Sequence, residues 1–132
     1  MSIKKFIWPV RVYYEDTDAG GVVFYANYLK FFERARTEML RAIGFEQDEL
    51  IANDGILFAV RSVQVDYLRP ARFNELLQVS AELTLIKKAS LTFEQIMTRG
   101  DDILCKSEIR IACLDASSMR PKAIPENLLE LL

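Results

Sequence analysis

The chain contains no histidine. That absence removes the Ser-His-Asp and Cys-His routes to acyl chemistry, since both use imidazole to carry the proton. It also removes the usual nitrogen ligand of protein zinc sites, and neither a metal nor a cofactor is expected. Cysteine is nearly absent, with only Cys105 and Cys113. Both fall at odd positions of one alternating run, which predicts two small buried apolar side chains on one strand face, not a disulfide or redox pair. Charge of either sign is in small excess: 17 basic against 19 acidic residues leave a net −2. Such a balance supplies no global pull toward nucleic acid or an anionic membrane. Long hydrophobic runs are missing too. After Lys4 and Lys5 the apolar stretch extends only from Phe6 to Val10 and is interrupted by Pro9, too short for a signal peptide, and no segment approaches membrane-spanning length. A cytoplasmic protein with no transmembrane segment is the expectation.

What is present suits one folded unit. With 132 residues, 51% of them hydrophobic, the chain can bury a proper core, and no linker, repeat or low-complexity stretch divides it. One domain over 1–132 is expected. Phe6, Trp8, Val10, Val12 and Tyr14 alternate, predicting a first strand over 6–14. From Asn27, a cap-type residue, Tyr28, Phe31, Phe32, Ala35, Met39 and Ile43 recur at helical spacing. Lys30, Glu33, Arg34, Arg36, Thr37 and Arg41 are assigned to the opposite, polar face, and Gly44 is the natural stop. A short helix over 46–53 is expected to close at Asp54-Gly55. Thereafter the period changes to two. Val63, Val65 and Tyr67 form one strand, and Leu77, Val79, Ala81, Leu83 and Leu85 a longer one. Lys87-Lys88-Ala89 turns into a strand beginning with Leu91 and Phe93, and Gly100-Asp101-Asp102 turns into the strand Ile103 to Cys113. A short helix after Pro125 ends the chain. The layout is α+β: an antiparallel sheet wrapped around one long helix. The uncovered sheet face calls for a partner subunit, so a homodimer at least is expected.

The stretch from Tyr13 to Tyr28 carries the chemistry. It reads Tyr13-Tyr14-Glu15-Asp16-Thr17-Asp18-Ala19-Gly20-Gly21-Val22-Val23-Phe24-Tyr25-Ala26-Asn27-Tyr28. Two aspartates and a double glycine lie on a loop leading into a helix start, where backbone N–H groups are unpaired and the dipole is positive. A carboxylate beside such donors is suited to attack on an acyl group. Gly20-Gly21 matches neither a dinucleotide fingerprint nor a P-loop; it suits a turn of positive φ and close approach of the backbone to a ligand.

These residues, with Glu33-Arg34-Ala35-Arg36 and Val65-Asp66-Tyr67-Leu68-Arg69-Pro70-Ala71-Arg72, resemble the signature of hotdog-fold acyl-CoA thioesterases. The similarity is to the YbgC-type subfamily linked to the Tol-Pal system, with 4-hydroxybenzoyl-CoA thioesterase a more distant relative. The resemblance implies the hotdog fold, an active site at a dimer interface, and dimers or tetramers. It implies Asp18 as the catalytic carboxylate, acting on the thioester of acyl-CoA or an acyl-carrier protein as nucleophile or general base. Backbone N–H groups near Tyr25 would polarise the carbonyl. Many YbgC-type proteins carry histidine where this chain has Tyr25, while the 4-hydroxybenzoyl type has tyrosine, so Tyr25 is read as a hydrogen-bond donor or a wall of the acyl pocket. Gly20 and Gly21 are assigned to the substrate side of the loop. Lys87, Lys88 and Ser90 form a small basic turn suited to the phosphates of CoA, with Arg69 and Arg72 as weaker candidates. Glu33 is read as an ordinary helix-surface carboxylate, and the stripe Tyr28, Phe31 and Phe32 as core. A dehydratase of the same fold is disfavoured by the missing histidine. The remaining alternative is a non-catalytic protein that binds or scaffolds acyl-CoA or acyl-carrier protein at the cell envelope.

Overall fold

A computed structural model describes residues 5–132; Lys4, named above, lies outside them. Strand β1 (Phe6–Arg11) is followed by a short 3-10 turn (Tyr14–Asp16), helix α1 (Asn27–Ala42), and a single turn α2 (Gln47–Glu49) that widens into a π turn (Leu50–Asp54). Then come β2 (Ile56–Tyr67), β3 (Leu76–Ile86), β4 (Ser90–Arg99), β5 (Asp102–Asp115) and a final turn α3 (Glu126–Leu129). The five strands form one sheet in the order β1-β3-β4-β5-β2, and every pairing is antiparallel. This is the α+β hotdog layout, a sheet curled about one long helix.

Period-two residues build the concave face of that sheet. Val10, Leu77, Val79, Ala81, Leu91, Phe93, Met97, Ile109 and Ile111 are buried against the helix stripe of Tyr28, Phe31, Phe32, Ala35 and Met39. Helix and sheet therefore share one core, and its burial is the main term holding them together. Cys105 and Cys113 lie on β5, buried and unbonded, as their spacing predicts. Burial pushes the Cys105 thiol up to about 12, leaving it inert at neutral pH. Gly44 stops α1 with a φ of 95°, a conformation that a side chain would strain.

Several boundaries differ from expectation, each for a local reason. β1 stops at Arg11, not at residue 14. Asp16 takes the Tyr13 N–H through its carboxylate at 2.8 Å, which closes the chain into the 3-10 turn. Asn27 is the first helical residue, not its cap; its side-chain amide instead donates to the Asp16 carbonyl at 2.9 Å. The strand predicted at Val63 begins seven residues earlier, at Ile56, where Gly55 (φ 64°) ends the π turn. Leu85 continues the alternation in sequence but is exposed, because the β3–β4 register shifts between Leu83 and Leu85. Arg36, assigned to the polar face of α1, is buried.

Candidate active site

The Asp18 loop is a closed turn tied to the body of the protein at both sides. Thr17 bridges to Val23, and Val22 to Arg72. The Asp18 N–H donates to the Val22 carbonyl at 3.0 Å, and the Gly21 N–H donates back to the Asp18 carbonyl at 3.0 Å. Only Gly21 of the glycine pair needs a positive φ, at 79°. Gly20 has no such φ but sits close to the acid: an added Cβ would lie 3.2 Å from the Asp18 Oδ1, the same oxygen that accepts the Gly20 N–H at 2.9 Å, so a side chain there would press on the carboxylate. One carboxylate oxygen is thus held by the backbone, and the other has no partner among the described residues. Asp18 is exposed in the isolated chain. Asp16 is structural: besides the Tyr13 N–H, its carbonyl accepts the Phe24 N–H and the Asn27 amide.

Those same bonds set the helix start beside the Asp18 turn. The Asn27 N–H donates to the Phe24 carbonyl and the Tyr28 N–H to that of Tyr25, whereas the N–H groups of Tyr25 and Ala26 find no acceptor among the described residues. Free donors at the positive end of a sixteen-residue helix can stabilise an oxyanion that forms there. The Tyr25 ring is 64% exposed and packs edge-on to Tyr67 at 6.3 Å. Tyr67 also donates its hydroxyl to the Tyr25 carbonyl at 3.1 Å and meets the Tyr28 ring at 5.2 Å. The Tyr28 hydroxyl accepts the Ala71 N–H at 2.9 Å. Burial raises the pKa of both the Tyr28 and Tyr67 hydroxyls, keeping them protonated at neutral pH. Tyr67 stood in the sequence as a strand residue within the second family-like stretch, with no site role assigned to it. Its place beneath Tyr25 comes from the β2–β5 pairing that brings the end of β2 under the helix start.

Lys87, Lys88 and Ser90 are not part of this cluster within one chain. They turn β3 into β4, where the Lys87 N–H donates to the Ser90 carbonyl at 2.9 Å. β3 begins opposite Arg11 at the loop end of the sheet and runs eleven residues away from it, which carries the basic turn to the other end of the strand, roughly 33 Å from its start. Arg69 pairs with Asp102 at 3.2 Å, and the Arg72 N–H donates to Glu75 at 2.7 Å. Glu33 accepts the Thr37 hydroxyl at 3.2 Å on the helix surface.

A second polar cluster escaped the sequence reading. Gln95 on β4 is fully buried. Its amide nitrogen donates to the Phe32 carbonyl at 2.9 Å and to the Ser80 carbonyl at 3.1 Å. Its oxygen therefore turns to Arg36, whose Nη1 donates at 2.8 Å. Burial lowers the Arg36 guanidinium to about 10, with Glu33 opposing the shift, so it remains cationic at neutral pH. Helical spacing alone put Arg36 among the charged residues; a glutamine in the middle of an apolar strand was the available signal. No group of histidine, cysteine, aspartate or glutamate among the described residues is arranged to hold a metal ion, and no helix among them is long and apolar enough to cross a membrane.

A carboxylate in a tight turn, free N–H donors at a helix start and a helix-wrapping sheet define a hotdog thioesterase scaffold. The family model described as the thioesterase superfamily matches residues 20–106, starting just past Asp18. The acyl-CoA thioesterase YbgC of Haemophilus influenzae is 46% identical over 123 residues, covering 93% of this chain and 90% of that protein. The acyl-CoA thioester hydrolase YbgC of Escherichia coli O6:H1 is 45% identical over 129 residues, covering 97% and 96%. Among solved structures, a probable thioesterase from Bartonella henselae superposes with a TM-score of 0.88 at 33% identity, covering 92% of this chain and 99% of that one. The chain belongs to the thioesterase superfamily, in its YbgC-type branch.

Proposed function

We propose that this protein hydrolyses acyl-CoA thioesters to the free acid and CoA. The observation that carries the reading is the half-free Asp18 carboxylate beside the unpaired Tyr25 and Ala26 N–H groups, in a chain 45–46% identical to proteins named for that activity. Asp18 acts on the thioester carbonyl directly, giving a mixed anhydride that water then opens, or it takes a proton from the attacking water. In either route the carbonyl oxygen gathers charge against the helix-start donors, and the thiolate leaves and is protonated. A thioester is activated enough for a carboxylate to suffice. An acyl group on a carrier protein offers the same bond and is the alternative carrier.

The working unit is a homodimer, or a tetramer built from it, formed through β2. This strand lies at the sheet edge with twelve residues and exposes Val60 (52%), Val63 (40%) and Tyr67 (45%). A long apolar edge invites pairing with a second copy, whereas Pro9 blunts the opposite edge on β1. Antiparallel pairing of β2 with itself sets the Tyr67 end of one copy against the Ile56 end of the other. It also carries the partner's Lys87, the partner's Lys88 and the partner's Ser90 toward the Asp18 end of the first copy, where they can meet the phosphates of CoA. The test is free-thiol release from a panel of acyl-CoAs with wild type and Asp18→Asn. Turnover lost in the variant supports the reading. Acyl-CoA binding without turnover in either protein would replace it with a binding or scaffolding role, including one at the envelope beside the Tol-Pal system.

A further inference from the structure

Between α1 and the sheet lies a pocket of about 110 Å³, with Phe58, Leu91 and Phe93 among its apolar walls and Glu33, Arg36, Thr37 and Gln47 as its polar lining. One water needs only ~10–15 Å³ of such space, so the pocket takes a chain of several heavy atoms. Arg36 is 8% exposed and forms no ion pair among the described residues; those found there involve Arg41, Arg69 and Arg99. A guanidinium has five N–H donors, and the structure pairs one of them, with Gln95. Gln95 cannot rotate to offer more, because both its N–H donors are spent on the Phe32 and Ser80 carbonyls. Glu33, the nearby acid, is exposed and turned to the Thr37 hydroxyl. No buried side-chain nitrogen among the described residues is sealed away without a partner, so the spare donors of Arg36 stay accessible, and Arg36 lines the pocket. Glu33 acts on Arg36 only through its charge and makes no ion pair with it, so the accessible planar fork keeps room for a carboxylate that enters the pocket.

We infer that this pocket is the distal acyl subsite and that Arg36 selects acyl groups bearing a terminal carboxylate, those of dicarboxylic acids. The inference rests on the thioesterase reading and its paired β2 arrangement. Arg36 lies nine residues along α1 from Asn27, ~14 Å, too far for a short acyl chain attacked by Asp18 of the same copy. Pairing through β2 instead sets the loop end of the partner beside Phe58 and Val60, at the pocket mouth. Binding energy spent on the far carboxylate would then position the thioester for attack.

The experiment compares kcat/KM for adipoyl-CoA and hexanoyl-CoA, which share a chain length and differ in the terminal carboxylate. Wild type, Arg36→Gln and Arg36→Lys are measured, with folding checked by thermal melts. The wild-type ratio is expected to favour adipoyl-CoA by on the order of tenfold or more. Arg36→Gln, which keeps a donor for Gln95, abolishes that preference, and Arg36→Lys retains part of it. A wild-type preference for hexanoyl-CoA, or a ratio unchanged in Arg36→Gln, overturns the inference. Calorimetry of adipoyl-CoA binding separates this from failure of the thioesterase reading. With no Asp18-dependent turnover of any substrate, binding that weakens about tenfold in Arg36→Gln still supports the subsite, and equal binding refutes it.

Discussion

The Asp16–Tyr25 loop and the layer between α1 and β4 hold their polar groups by opposite means. In the loop the backbone does the holding: Asp18, Gly20, Gly21 and Val22 bond to one another through main-chain groups and one carboxylate oxygen, and Asp18 remains exposed. Under the helix the side chains do it: Gln95 spans Phe32, Ser80 and Arg36 in a place that water does not reach. An exposed site can lose its acid and keep its fold. A buried one cannot lose its amide without leaving carbonyls and a cation unpartnered. The proposed bond-breaking chemistry and most of the stability would then lie in different regions, and mutations should separate them.

The sharpest separation is Asp18→Asn. The amide oxygen can still accept the Gly20 N–H, so the melt should stay near wild type while kcat for thiol release falls by on the order of 10²–10⁴. A parallel loss of stability would break the contrast. Gln95→Leu should do the reverse, costing about 3 kcal/mol in urea unfolding and affecting hexanoyl-CoA turnover through the folded fraction. Gly21→Ala probes the backbone of the loop: a φ of 79° costs a side chain ~1–2 kcal/mol, and the distorted turn should lower kcat more than it raises KM. The smallest effect belongs to Lys87→Ala with Lys88→Ala, exposed charges far from the reacting bond. They should raise KM for acyl-CoA about threefold with kcat unchanged, and added salt should erase the difference. A change in kcat would place the basic turn nearer the chemistry than the edge pairing allows.

Much of the architecture was legible because hydrophobic periodicity is local. The switch from 3.6 to two after Gly55 announces the sheet, and the three- and four-residue spacing of Tyr28 to Met39 announces the helix that it wraps. The ends of elements were less legible, since they depend on competing bonds. Val12 and Tyr14 keep the alternation of β1, yet the Asp16 carboxylate captures the Tyr13 N–H and turns the chain. Leu85 likewise keeps the pattern of β3 in sequence, but it follows a register shift, pairs with Thr92 and is exposed. At the candidate site, Asp18 and the glycine pair stood out by residue type and spacing. Tyr67 did not, because its position under Tyr25 follows from which strands pair. Arg36 was placed on the wrong face, because charge in sequence does not say whether a buried amide waits opposite.

By itself, then, the sequence determined which chemistry was closed: without imidazole, neither a Ser-His-Asp nor a Cys-His route can be built within this chain. It also determined the α+β layout, since apolar period and turn residues act over a few neighbours. The tertiary structure alone showed that Gly20 sits against the Asp18 carboxylate and that Gly21 takes the positive φ. It alone separated the basic turn from the acid within one chain, and it alone buried a guanidinium over Gln95. Those outcomes depend on strand order and helix placement, and residues dozens of positions apart meet only when the whole sheet has closed around the helix.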